Sequence, residues 1–202
     1  MPNDKAFQKK VLLAALKLLE AERGPVLEEF PEDPLVSGEM TTVLSCPVDL
    51  AVEEQNLSET EKLRVTFKWE MTQLRSWYDL SVKKRGRTTV GVSGLDPDSI
   101  CAFISAFLNG KIPENPRDDL PVEFALKLAV DDLKAYYFEA VTAQPGQESP
   151  GSNTFANWFW GKTVAGKVLF ALKTHCTNSD NDRLRLVGNM FMIPAAQAHG
   201  LT

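Results

Sequence analysis

Asp132, Tyr136 and Glu139 are the residues whose types and spacing best suit acid–base chemistry. At 100° per residue, Asp132 and Glu139 share one side of a helix, and Tyr136 lies between them along it. That side is roughly opposite a strip of Glu123, Lys127, Asp131 and Lys134, which reads as the solvent face. A helix with one full charged face has no need of two more carboxylates near its apolar one. The ordinary reading puts the trio at the border of the buried stripe, reaching water or a basic partner, because buried charges are rare unless paired. The second makes it a catalytic set in a pocket where burial lifts a carboxylate pKa towards neutrality. The third is a structural ion pair with an arginine elsewhere.

The concentrated basic run Lys83-Lys84-Arg85-Gly86-Arg87 leads into Thr88-Thr89-Val90-Gly91-Val92-Ser93-Gly94. Glycines, hydroxyls and cations together can form an anion nest, with Arg85 and Arg87 receiving an anionic ligand. The run lacks the Gly-Lys-Ser/Thr of a P-loop, and Gly91–Leu95 misses the last position of a G-x-S-x-G elbow. Cations at a helix C-terminus, followed by a turn, are the ordinary explanation.

Phe155, Trp158, Phe159 and Trp160 place four aromatics within six residues. Core packing is the first expectation. The alternative is an exposed cluster, with Trp158 and Trp160 serving a protein partner or an apolar ligand.

Metal chemistry has little support. The two histidines, His175 and His199, exclude a three-histidine site from one chain, and Leu172 and Ala196 stand where a Glu-x-x-His pair would need its glutamates. His175 beside Cys176 has no CxxC or HxxxH pairing around it, with Cys46 only a distant third ligand. No metal and no cofactor is expected.

Six helices are expected to position these groups. Residues 4–23 form the first, capped by Asn3 or Asp4 and stopped at Gly24-Pro25. It carries two apolar stripes: Phe7, Val11, Ala14 and Leu18, and separately Leu12, Leu16 and Leu19. Two-sided apolarity suggests burial on more than one side, or association. From 24 to 57, four prolines and a group of acids forbid a continuous helix; an extended arm is the preferred reading, with 43–48 as a short strand or buried anchor. Ser58 and Glu61 have capping-box spacing. The residues after them are ambiguous: Leu63, Val65, Phe67, Trp69 and Met71 alternate like a strand, whereas Leu63, Phe67, Leu74 and Tyr78 fit a helix to about Val82.

Asp96 and Pro97 open a helix that Asn109-Gly110 ends, with Ile100, Phe103, Ile104, Phe107 and Leu108 as its face and Cys101 as a core thiol. After a loop at 111–120, Pro121 takes the first position of a helix to Thr142. The stretch 143–152 is a flexible connection. Thr154 to Cys176 reads as one helix capped by Ser152 or Asn153, in which Gly161 and Ala165 permit close packing. A last helix runs from the cap Asn178-Ser179-Asp180 to about Met192.

The sum is an all-α, single-domain bundle of five or six helices with a long Pro/acid-rich arm at 25–57. With 202 residues, 44% apolar content and 24% charge, the chain can bury a core without disulfides. A net charge of −5 makes nucleic-acid binding unlikely as a reading. The charged amphipathic start is not a cleavable signal, and no apolar run reaches membrane-spanning length, so no membrane partner is expected. Three separated cysteines suit a reduced, cytoplasmic setting. The leading functional expectation is self-association or partner binding, as a homo-oligomer or with another protein, in the manner of an accessory subunit. A small-molecule enzyme or binder using the acidic and tyrosine pocket is the alternative.

Overall fold

Every regular element among the described residues is helical. The structure, a computed structural model, describes residues 5–32, 57–145 and 150–197. The chain divides into two units, Met1–Thr42 and Val43–Thr202.

In the first unit, α1 (Lys5–Lys17) passes into a 3-10 turn at Leu18–Glu20, so the α-helix ends well short of residue 23. Residues 25–32 are non-helical, as their prolines require. Phe30 meets the ring of Phe7 edge-on at 5.8 Å, and Glu32 pairs with Lys10 at 2.8 Å. The caps expected at residues 3 and 4, the rest of the arm and the strand expected at 43–48 lie outside the described residues.

The second unit holds α2 (Glu59–Arg85), α3 (Pro97–Leu108), α4 (Val122–Thr142), α5 (Ser152–Lys162), α6 (Val164–Thr177) and α7 (Asp182–Met190). Both halves of the Ser58–Glu61 capping box are made. The strand-or-helix ambiguity resolves to helix. Phe67, Met71, Leu74 and Tyr78 are buried while Val65 stays exposed, which is helical periodicity and not alternation. In α3, Asp96 caps the N–H of Ser99, and Ile100, Phe103, Ile104 and Phe107 are buried, as is Cys101. The centre is α4, which packs against α2, α3 and α7.

Several expectations are corrected. Pro121 is the cap of α4 and not its first residue, with ψ at 147°. Glu123 is not on a solvent face: it is buried and accepts from Asn181 Nδ2 at 2.7 Å. Asn181 in turn caps α7, so that helix begins later than residues 178–180 suggested.

The largest correction lies in the next segment. Thr154–Cys176 is two helices, broken at Thr163, whose ψ of 154° is extended. Thr163 Oγ1 donates to Phe159 O at 2.6 Å, closing α5, and accepts from Gly166 N at 3.0 Å, opening α6. The break brings the two helices so close that a Cβ on Gly166 would stand 2.4 Å from Phe159 O. That split is why seven α-helices appear among the described residues instead of six. Gly151 caps α5, without a side-chain bond. None of these helices is long and apolar enough to cross a membrane.

Candidate functional site

Asp132 and Glu139 do face the same place, and that place is the loop between α2 and α3. The loop is the glycine- and hydroxyl-rich stretch read as an anion nest, and the anions it holds are the chain's own carboxylates. Asp132 Oδ1 accepts from the N–H groups of Gly91 at 2.8 Å and Val92 at 3.1 Å. Its Oδ2 accepts from Ser93 N at 2.8 Å and from Ser93 Oγ at 2.5 Å. One turn of positive φ at Gly91, 118°, lets consecutive N–H groups converge on one carboxylate.

Two turns along α4, Glu139 repeats the device. Its Oε1 accepts from Thr89 N and Thr89 Oγ1, both at 2.7 Å, and its Oε2 from Thr88 Oγ1 at 2.8 Å. Both carboxylates are inaccessible to solvent, at 0% and 2%. A carboxylate has about four acceptor places; Asp132 has four donors on it and Glu139 three. The loop also receives Arg117, whose Nη1 donates to Val92 O at 2.7 Å while its fork grips Asp119.

Tyr136 lies on the same helix but turns to α2. Its hydroxyl donates to Met71 O at 2.7 Å, and its ring tilts against Tyr78 at 4.7 Å. Burial pushes its pKa up, so it remains a neutral donor. A thread of hydroxyls nonetheless ties it back to the pair: Tyr78 Oη lies 3.1 Å from Thr88 Oγ1, which bonds Glu139.

The residues expected to bind a ligand fall into different surroundings. Arg85 Nη2 donates to Thr142 Oγ1 at 2.6 Å, joining the ends of α2 and α4, and Arg87 is exposed. Trp158 is buried beside Tyr137. Trp160 is half-buried, edge-on to Phe170, with Lys134 Nζ 6.0 Å from its ring centre.

Sequence reasoning missed a third carboxylate of the same kind. Glu70 is buried in α2 and caps the start of α6, accepting from Val164 N at 2.7 Å and Ala165 N at 3.0 Å. Tyr137 Oη donates to it at 2.5 Å. Burial raises the pKa of Glu70, and the three donors oppose that rise. The signal was present in the helical register, since Glu70 stands at i+3 from Phe67 and i−4 from Leu74, on the core stripe itself.

Among the described residues, no group of three His, Cys, Asp or Glu is arranged to hold a metal ion. His175 is exposed in the last turn of α6. Cys101 and Cys176 are free, buried thiols that burial pushes up to about 11, away from thiolate reactivity.

The first unit presents a surface of another kind. No residue of α1 is buried. Of the first stripe, Phe7, Ala14 and Leu18 are half-buried, with Phe30 against Phe7, while Val11 is exposed. The other stands open, with Leu12 59%, Leu16 50% and Leu19 81% exposed. No protein-family model, no curated protein and no solved structure matches this chain.

Proposed function

We propose that this chain works by association and not by chemistry of its own, binding a protein partner or a second copy through α1, as an accessory subunit would. The observation that carries it is the open stripe of Leu12, Leu16 and Leu19. A contiguous apolar row on a helix is costly to leave in water and is the usual face of a helix-to-protein contact. The carboxylates that catalysis would use support the same reading, because Asp132 and Glu139 are spent on backbone amides. A reduced, cytoplasmic setting suits the free thiols.

The test compares the parent with Leu16→Asp. Solution mass and co-purification from the source extract should show a species larger than the monomer for the parent, reduced to monomer in Leu16→Asp, with an unchanged helical spectrum. Thermal unfolding against a metabolite panel runs alongside. A midpoint raised by a metabolite, with no difference in association between parent and variant, would overturn the proposal in favour of a small-molecule site.

A further inference from the structure

The charges around the open stripe say what covers it. Residues 5–32 hold five cations (Lys5, Lys9, Lys10, Lys17 and Arg23) and five anions (Glu20, Glu22, Glu28, Glu29 and Glu32). Residues 5–32 are neutral in sum and their charges are sorted along the chain, and the whole unit, with Asp4, Asp33 and Glu39 added, has three more acids than cations. Every charge on α1 itself is a lysine, Asp4 precedes it in the sequence, and the next acids, Glu20 and Glu22, follow its end. Only the Lys10–Glu32 pair is made among the described residues of this unit; Lys5, Lys9, Glu20 and Glu22 are exposed.

We infer that the leucine stripe of α1 is covered by the α1 of a second copy of this chain, packed antiparallel about a twofold axis. The inference rests on the association reading above. Leu12 and Leu16 stand one turn apart on α1, the spacing of neighbours along a paired-helix seam, and Leu19 carries the exposed row into the 3-10 turn that follows. In an antiparallel pair centred on that seam, Lys9 of one copy comes opposite Glu20 and Glu22 of the other. Two further like arrangements follow from the symmetry, since an isologous contact repeats each pairing. A parallel pair would set Lys9 on Lys9 and Glu20 on Glu20, which is repulsive. An anionic membrane is a poorer occupant: polybasic attraction needs a net positive segment, and these residues sum to zero.

A seam of two turns is small beside the roughly 800 Å² per partner of a standard interface. The dimer is therefore weak and, because its charges are exposed, weakened further by salt. Sedimentation of the full chain over a concentration series at low and high salt measures it. The expected result is a monomer–dimer equilibrium that tightens at low salt, with Leu16→Asp raising the dissociation constant at least about tenfold, the scale of a hot-spot residue.

Charge reversal gives the sharper arm. A chain with Lys5→Glu and Lys9→Glu, and a second with Glu20→Lys and Glu22→Lys, should each be monomeric alone and form a heterodimer when mixed. Either variant dimerising alone like the parent, or no heterodimer on mixing, overturns the antiparallel pairing. A parent that is monomeric at every concentration, yet loses a co-purifying protein in Leu16→Asp, overturns the second copy while leaving association through α1 intact. A monomer that binds phosphatidylserine vesicles through Leu16 also overturns it, in favour of a lipid surface.

Discussion

The helical bundle of the second unit and the α1 unit treat their charges and apolar groups in opposite ways. In the bundle, Glu70, Glu123, Asp132 and Glu139 are all buried, and each accepts from a named donor within the same unit. Among the described residues of the first unit, five leucines lie half or more exposed, and of the ten charges at 5–32 only Lys10 and Glu32 form a salt bridge. The contrast teaches that buried charge in the bundle is answered by its own amides and hydroxyls, whereas the apolar row at Leu12, Leu16 and Leu19 stays exposed.

The largest effect that would break this contrast is expected at Asp132. Asp132→Ala strands the amides of Gly91, Val92 and Ser93, and should cost about 3 kcal/mol. For a bundle of this size that lowers the melting midpoint by roughly 10 °C, and the exchange protection of the three amides should vanish with it. An unchanged midpoint would mean the loop is not held by α4. Next comes Gly166→Ala, where the new methyl meets the backbone oxygen of Phe159 and the α5–α6 break must open; the expected loss is about 2 kcal/mol by chemical unfolding. A variant as stable as the parent would show that the break is slack.

A smaller effect follows from titration. Cys101 and Cys176 are pushed up to about 11 in the fold, and burial raises Tyr136 and Tyr137 above their ordinary range. Groups with raised folded pKa values keep protons that the unfolded chain gives up, so their contribution is complete below pH 9 and lost as pH rises through the folded values. Between about pH 9 and 10 the bundle should lose on the order of 1 kcal/mol, read from urea unfolding at the two pH values. The smallest stability change belongs to Leu16→Asp, within about 0.5 kcal/mol because the site is exposed. A much larger loss would mean the leucine stripe is already packed within the chain, and would erase the contrast.

What could be read from residues alone was what local chemistry controls. Ser58 with Glu61, Asp96 with Pro97, and the stripe from Ile100 to Phe107 each act within a turn or two, and each appears where expected. The second apolar row of α1 was visible, but the expectation that it is buried on more than one side fails, since no residue of α1 is buried. Non-local partners were not legible. The break at Thr163 is stabilised in part by Glu70, more than ninety residues earlier, and nothing near Thr163 announces it. The trio on α4 was located correctly on the helix, but its partners lie 39 to 65 residues away, so spacing could not tell a pocket from a clamp. The basic run and the nest were read as one feature. In space the nest turns inward to Asp132 and Glu139 while Arg87 stays at the surface.

Glu70 also bears on the order in which the chain becomes native. Its amide partners at Val164 and Ala165 do not exist until α2, α3 and α4 have all been synthesised. Until then Glu70 and Tyr137 must form without the helix start that they later cap. Contacts of such long sequence separation form late, because closing the intervening chain costs entropy before any bond repays it. The α5–α6 corner is thus timed to the end of folding. A nascent chain stalled before Thr163 would carry a charged, hydrated Glu70 on an unfinished face of α2, and would complete its core only when α6 arrived.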